Sequence, residues 1–292
     1  MKLAFYLMNH KGYSAIVDFL NKFNSSSVEY VVLSRDEHVE KDYYNEIKNL
    51  CHSHSIVVFD RKDNIPKYSG YKVAIGWRWL IRDTSKLIVM HDSILPKYRG
   101  FSPLVNMLIN GEKEIGVTAL CASDNYDEGD IIEQRKVKIE YPIKIHEAID
   151  KVSALYSCLV ISIFQKLLVD GCLVGSPQNH NQATYSLWRD ELDYLIDWSK
   201  DSSTIIRTID ALAFPYLGAK SYFNGKLITI TEAEEVNDVM IENRDFGKVI
   251  FLSNGFPVVV CGEGLIKIRG AYDKDNNPIL PLKKFRSRFG VK

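Results

Sequence analysis

Short apolar runs of strand length alternate with segments of helical periodicity through the first half of the chain. The predicted strands are 3–7, 28–34, 56–59, 73–77, 87–90, 116–122 and 131–139, and the predicted helices are 14–23, 41–54, 101–110 and 145–169. Strands this continuously apolar are covered on both faces, which requires helical crossovers between parallel strands. The pattern therefore predicts an α/β domain with a doubly wound, mostly parallel sheet.

The pattern changes after Gly171. Residues 172–184 are rich in Gly, Asn, Gln and Ser and are predicted to form a linker, and a helix over 203–213 follows, with Ser199 or Asp201 as its cap. Asn224-Gly225 is a strong hairpin signal between two short strands. With strands predicted at 221–223, 227–233, 247–252, 256–261 and 265–272, this half is expected to be a small OB-like β-barrel. The predicted domains are 1–171 (catalytic), 172–195 (linker) and 196–292 (barrel).

Composition excludes several classes of protein. The chain has 292 residues, 46% hydrophobic and 25% charged, which suits a folded protein of two domains. Lys plus Arg and Asp plus Glu both number 37, so no general attraction for a nucleic acid is expected. The five cysteines have no Cys-x-x-Cys spacing, and His10, His52 and His54 have no metal-like partner set, so reduced thiols and no bound metal are predicted.

The N-terminal apolar run is too short for a signal peptide, because the polar residues 9–12 interrupt it. We expect no apolar run to reach the roughly 20 residues of a membrane span. The sequence therefore predicts a cytoplasmic protein with no membrane partner.

Two motifs point to chemistry, His91-Asp-Ser-Ile-Leu-Pro-Lys-Tyr-Arg-Gly100 and Tyr126-Asp-Glu-Gly-Asp130. His91 leaves the carboxyl end of a predicted strand, where ligands bind in open α/β sheets. A carboxylate on the glycine-containing turn would complete an acid/base pair, because a nearby carboxylate favours the charged imidazole. The structural alternative is a buried histidine with satisfied hydrogen bonds and an Asp-Gly turn that serves only the backbone.

These motifs, together with Gly116-Val-Thr118, resemble the N10-formyltetrahydrofolate-dependent formyltransferase family. The second half supports the resemblance independently, through Ile196-Asp-Trp-Ser199, Pro215-Tyr-Leu-Gly-Ala219 and Tyr222-Phe-Asn-Gly-Lys226. These segments are similar to the C-terminal barrel shared by methionyl-tRNA formyltransferase and the nucleotide-sugar formyltransferases. The resemblance spans nearly the whole chain.

The resemblance implies transfer of a formyl group from N10-formyltetrahydrofolate to an amine. His91 matches the family's catalytic histidine, and Asp127 matches the aspartate that holds that histidine in a useful protonation state. Attack by the amine gives a tetrahedral intermediate, whose oxyanion needs a hydrogen-bond donor and whose ammonium must lose a proton.

The same resemblance implies a folate site. Residues 77–81 match the segment whose backbone binds the pterin, and residues 123–127 would close the other side of the pocket. The expected cofactor-binding residues are Trp77, Trp79, Leu80, Ile81, Ser93, Leu95, Ser123, Asp124, Asn125, Tyr126 and Asp127. Alternatively, Trp77 and Trp79 are core aromatics. Lys97 and Arg99 either are solvated charges of a turn or contact the folate tail or a substrate phosphate.

One position departs from the family pattern. Val89 stands two residues before the histidine, where the family carries an asparagine that binds the formyl oxygen. Removing one such donor typically costs about 10²- to 10³-fold in rate. Asn125 or Ser93 would have to replace this donor, the substrate would have to bind in a different geometry, the activity would be weak, or the chemistry would be lost.

Three functions remain open for the acceptor. The first is formylation of a nucleotide-linked amino-deoxy sugar for surface polysaccharide such as the O-antigen of lipopolysaccharide. It is favoured by the neutral charge, by the lack of a basic insertion beyond Gly100, and by Pro215-Tyr216, which resembles the sugar enzymes. The second is methionyl-tRNA formylation, and the third is a folate- or nucleotide-binding protein without turnover. The resemblance also leaves room for a homodimer.

Overall fold

The computed structural model describes residues 1–290 and contains a seven-stranded sheet of the order β3-β2-β1-β4-β5-β7-β8. Pairing is parallel from β3 to β5, while β7 and β8 are antiparallel to their neighbours. The strands are β1 (Leu3–Leu7), β2 (Val28–Leu33), β3 (Val58–Asp60), β4 (Tyr71–Ile75), β5 (Leu87–His91), β7 (Glu114–Cys121) and β8 (Ile131–Lys138). The predicted mostly parallel sheet is confirmed.

Helices α1 (Asn9–Lys22), α2 (Tyr44–Ser53), α3 (Pro103–Ile109) and α4 (Ile145–Asp170) account for the predicted helical segments. The largest difference is at α1, which begins at Asn9, five residues before the predicted start. Gly12 allows this early start, because a side chain at that position would crowd the Cβ of Leu7 at 3.0 Å. Residues 76–86 join β4 to β5 and contain no helix.

The segment predicted as a linker contributes to structure. Strand β9 (Tyr185–Ser186) pairs in parallel with β6 (Arg99–Gly100), so a two-stranded sheet joins this segment to the loop that follows β5. Residues so far apart in sequence give no local sign of such a pairing, and the sequence did not predict it.

Helix α4 corrects one expectation from the sequence. With 26 residues, it is long and apolar enough by length and composition to cross a membrane, contrary to the prediction that no segment would be. Half of its most apolar stretch is buried inside the protein, where Phe164 packs against Phe19 and Phe23. This burial is what a core helix shows, and its apolar composition follows from its packing.

The C-terminal half forms a five-stranded antiparallel sheet of the order β10-β11-β14-β13-β12. The strands are β10 (Ala219–Phe223), β11 (Lys226–Val236), β12 (Val249–Ser253), β13 (Phe256–Val260) and β14 (Leu265–Tyr272). Asn224 and Gly225 form the predicted tight turn, both with positive φ. Phe289 bridges to Phe223 and Arg288 bridges to Lys248, so the C-terminal segment closes the barrel between its two edge strands.

The chain divides into two compact units that are not continuous in sequence. The first comprises Met1–Leu104, Lys113–Ile139 and Glu147–Trp188. The second comprises Val105–Glu112, Glu140–His146 and the chain from Arg189 onward. The functional boundaries 1–171, 172–195 and 196–292 stay a prediction.

Candidate active site

His91 is the last residue of β5, between β4 and β7 in the sheet. Its side chain is buried, and its Nε2 lies 2.7 Å from the carbonyl oxygen of Tyr98. A carbonyl only accepts, so Nε2 carries a proton that it donates. The other ring nitrogen, Nδ1, lies 3.5 Å from Oδ2 of Asp127. The two residues that the sequence predicted as an acid/base pair are thus brought together.

Asp127 lies on the loop between β7 and β8, in the left-handed backbone conformation with φ of 56°. Its Oδ2 accepts a hydrogen bond of 2.8 Å from the backbone N–H of Gly100. The carboxylate is therefore fixed between a backbone donor and the imidazole of His91. This arrangement can hold a proton on the imidazole and stabilise its charged form.

The loop after β5 is supported from within. Ser93 is fully buried, and its hydroxyl donates to the carbonyl of Lys97 at 2.7 Å. Thr118 on β7 donates its hydroxyl to the carbonyl of Ser93 and accepts from the N–H of Leu95. Ser93 and Leu95 were both predicted to contact the cofactor, yet both side chains are buried, and the hydroxyl of Ser93 binds the loop itself. Their role in binding stays a prediction.

The predicted pterin segment follows β4 and has half-buried and exposed residues. Trp77 packs edge-on against Tyr6 at 5.2 Å, as a core aromatic does, although its indole Nε1 has no hydrogen-bond partner within residues 1–290. Trp79 is 43% exposed and Leu80 81% exposed, while Ile81 is half-buried. The exposed pair offers apolar surface to a flat ring.

Of the predicted second wall of this pocket, residues 123–127, the first four residues are exposed and Asp127 is half-buried. Tyr126 is 70% exposed and lies 6.0 Å from the ring of Phe101. The amide of Asn125 donates to Glu128 at 3.0 Å, and this hydrogen bond is the main reason why the pKa of Glu128 is lowered. Ser123 donates to the carbonyl of Asn125, and Asp124 is exposed.

Val89 lies two residues before His91, on the same face of β5. It is half-buried and packs against an apolar cluster that Trp77, Ile81 and Ala122 also contact. No hydrogen-bond donor is therefore present at this position. Both proposed replacements are already engaged, Ser93 with Lys97 and Asn125 with Glu128.

A second group of charges was not found by sequence reasoning. Asp92 directly follows His91, pairs with Lys11 on α1, and accepts a hydrogen bond of 2.5 Å from the hydroxyl of Tyr156 on α4. Burial and then the charge of Asp92 hold the pKa of Tyr156 well above its usual value. Tyr156 therefore stays protonated and ties α4 to the end of β5.

Arg99 was predicted to be a turn charge or a ligand contact, and the structure places it in the interior. The residue is 1% exposed and donates to Glu128 at 3.0 Å.

No group of three or more His, Cys, Asp or Glu side chains that could hold a metal ion exists in the described part of the chain.

Known protein families match both halves of the chain. A model described as formyl transferase matches residues 68–156, and one described as formyl transferase, C-terminal domain, matches residues 190–288. The methionyl-tRNA formyltransferase of Caldanaerobacter subterraneus subsp. tengcongensis is 34% identical over 182 residues. That match covers 62% of this chain and 57% of the relative, little more than half of its length.

Among the solved structures that resemble this chain, two sugar N-formyltransferases cover most of its length. An N-formyltransferase from Helicobacter canadensis, in complex with folinic acid and dTDP-3-aminofucose, has a TM-score of 0.69 at 18% identity, over 92% of this chain and 99% of that one. WlaRD, a sugar 3N-formyl transferase in the presence of dTDP and 5-N-formyl-THF, has a TM-score of 0.66 at 17% identity, over 92% and 97%. At these identities the likeness is one of fold.

Proposed function

Because the chain belongs to the formyl transferase family, we propose that it transfers a formyl group from N10-formyltetrahydrofolate to the amino group of a nucleotide-linked amino-deoxy sugar. The observation that carries the proposal is the His91–Asp127 pair, which lies at the carboxyl end of a central strand with the carboxylate fixed by the Gly100 N–H. Ligands of open α/β sheets bind at this edge.

The residues around the pair fit a folate. Trp77, Ile81 and Ala122, which directly precedes the segment 123–127, pack against the same apolar cluster as Val89. Trp79, Leu80 and Tyr126 offer exposed apolar surface, and the buried Nε1 of Trp77 lacks a partner. When bound, the folate supplies the formyl group and leaves as tetrahydrofolate.

His91 and Asp127 would perform the proton chemistry. As the acceptor nitrogen attacks, negative charge grows on an oxygen and the nitrogen must lose a proton. For either role Nε2 of His91 would have to leave the Tyr98 carbonyl: with its proton it would donate a hydrogen bond to that oxygen, and without its proton it would take up the proton of the nitrogen. In either role the Asp127 carboxylate, 3.5 Å from Nδ1, stabilises the imidazolium.

The proposed acceptor rests on structural similarity and charge. The Helicobacter canadensis structure that contains dTDP-3-aminofucose resembles this chain with a TM-score of 0.69, whereas the methionyl-tRNA formyltransferase structure from Clostridium thermocellum has a TM-score of 0.55. Equal numbers of basic and acidic residues also give no long-range attraction for a tRNA. Use of the product in surface polysaccharide, a cytoplasmic location and a homodimer stay predictions from the sequence.

Methionyl-tRNA formylation is the second candidate, because the 34% identity to the Caldanaerobacter enzyme exceeds the identity to either sugar enzyme. The two candidates differ in salt dependence. Binding of a tRNA weakens steeply with added salt through counterion release, whereas a nucleotide sugar carries few charges and responds weakly.

The test is release of tetrahydrofolate from N10-formyltetrahydrofolate with thymidine-, uridine- and guanosine-diphosphate amino sugars, run beside charged initiator tRNA. His91→Ala should abolish transfer while retaining folate binding. The matched control is His52→Ala, which removes an exposed histidine of α2 and should retain full activity.

Each outcome decides between the candidates. Turnover with one sugar supports the proposal and names the acceptor, while turnover with the tRNA alone replaces it. Folate binding without turnover on any acceptor would indicate a non-catalytic protein and make Val89 the explanation. Full activity of His91→Ala would contradict the assigned role of the histidine.

A further inference from the structure

The loop that carries Asp127 is held by one buried carboxamide. Gln178 donates one N–H to the carbonyl of Asp127 at 2.7 Å and the other to the carbonyl of Gly129 at 2.8 Å. Asp127 has a φ of 56°, a conformation that residues other than glycine adopt uncommonly and that surrounding contacts must hold. Both donors of a single amide therefore bind the turn that sets this conformation.

Gln178 is itself fixed by Arg99. The side-chain oxygen of Gln178 accepts from Nη2 of Arg99 at 2.7 Å and from Nε at 3.2 Å. Arg99 also donates to Glu128, the residue that directly follows Asp127. Because both side chains are buried, an unpaired group here would be costly, and the network has one favourable arrangement.

The same network reaches the other end of the Asp127 side chain. Arg99 directly precedes Gly100, whose N–H binds the Asp127 carboxylate at 2.8 Å. Arg99 and Gly100 form β6, which pairs with β9 only a few residues beyond Gln178. Gln178 thus holds the backbone of Asp127, while the carboxylate of Asp127 is bound by the residue that follows Arg99, the side chain of which binds Gln178.

We propose that Gln178 is a positioning residue, which holds Asp127 against His91 through its two donated hydrogen bonds. The inference rests on the proposed function only for its kinetic consequence, since the loop geometry exists without turnover. It places a functional residue in the segment predicted from sequence to be a linker. The role assigned to Gln178 is donation to the loop, and anchoring of Arg99 is secondary.

Two substitutions separate these roles. Gln178→Glu keeps an acceptor for Arg99 but has no N–H for the carbonyls of Asp127 and Gly129. Gln178→Met has a similar size and loses both functions. Gln165→Met is the matched control, because Gln165 is exposed on α4.

We expect kcat to fall about 100-fold in both Gln178 variants, with the KM for the amine changed less than about threefold, because misplaced groups lose rate before binding. The control should match the wild type. Full kcat in Gln178→Glu would overturn the proposal, since it would mean that anchoring Arg99 is sufficient. Unchanged kcat in Gln178→Met would overturn it as well.

Hydrogen exchange of the amides of Gly100 and Cys121 tests the inference without turnover, because they donate to the Asp127 carboxylate and to the carbonyl of Asp130. Release of the loop should reduce their protection by about 10- to 100-fold in Gln178→Glu, with the barrel amides unchanged. If Gln178→Glu shows this loss of protection but the wild type transfers no formyl group, the positioning role is kept and the proposed function is rejected. Unchanged protection in a folded Gln178→Glu variant would reject the positioning role.

Discussion

Replacing Asp127 by Asn isolates the contribution of its negative charge. Asn tolerates a positive φ, and its side-chain oxygen can still accept from the Gly100 N–H, so the loop should keep its conformation. What is lost is the charge 3.5 Å from Nδ1 of His91. The variant therefore tests whether stabilisation of the imidazolium limits the reaction.

The separation gives the magnitude. At 3.5 Å and an effective dielectric constant of about 20, the attraction between carboxylate and imidazolium is about 5 kcal/mol. In the variant, the dipole of the Asn amide and entering water recover roughly half of this attraction. The transition state therefore loses about 2.5 kcal/mol of stabilisation. At about 1.4 kcal/mol for each factor of ten, kcat/KM should fall close to 100-fold.

The assay is release of tetrahydrofolate at saturating N10-formyltetrahydrofolate with the acceptor concentration varied. The melting temperature should change by less than about 4 °C, because a neutral hydrogen bond replaces a charge-assisted one. Asp170→Asn, at the exposed end of α4, makes the same chemical change and should retain activity. Activity of Asp127→Asn within about threefold of the wild type would refute the electrostatic reasoning.

Three further results are expected. Val89→Asn should raise kcat by about tenfold or more, because the only nearby side chains proposed as donors are engaged elsewhere; a fall would indicate a pocket rebuilt around valine. Gly129→Ala should lower stability by roughly 1–3 kcal/mol in thermal unfolding, since its methyl group would overlap the carbonyl oxygen of Cys121; an unchanged melting temperature would contradict the contact. Asp201 caps α5 (Ser202–Ala211), and although burial alone would raise its pKa, hydrogen bonds from Ser203 and Thr204 lower it from 3.8 to about 2. Because the pKa of Asp201 is lower in the folded protein, its ionised carboxylate stabilises the fold above pH 4, by about 1 kcal/mol after solvent screening. This contribution is lost as the pH falls toward 2. Asp201→Asn should stay capped and lose this pH dependence in melting curves, and an unchanged dependence would exclude Asp201 as its source.

Local signals in the sequence were sufficient for most of the elements. The apolar run Leu3–Leu7 is entirely buried as β1, and Asn224-Gly225 forms the hairpin turn that its backbone preferences predict. His91 at the end of an apolar strand and Asp127 in a glycine-containing turn were identified in the same way. Periodicity and turn chemistry act between neighbours in the chain, so they can be read without the fold.

The sequence by itself determined the strands of the two larger sheets, the positions of His91 and Asp127 at a strand end and in a turn, and the resemblance to a family. Only the tertiary structure decided what surrounds that pair: Arg99 lies inside, Gln178 of the expected linker binds the Asp127 loop, and Asp92 pairs with Lys11. It also decided that α4, apolar enough for a membrane, is half-buried in the core. Burial and hydrogen-bond partners join residues distant in sequence, and neither leaves a periodic signal in the chain.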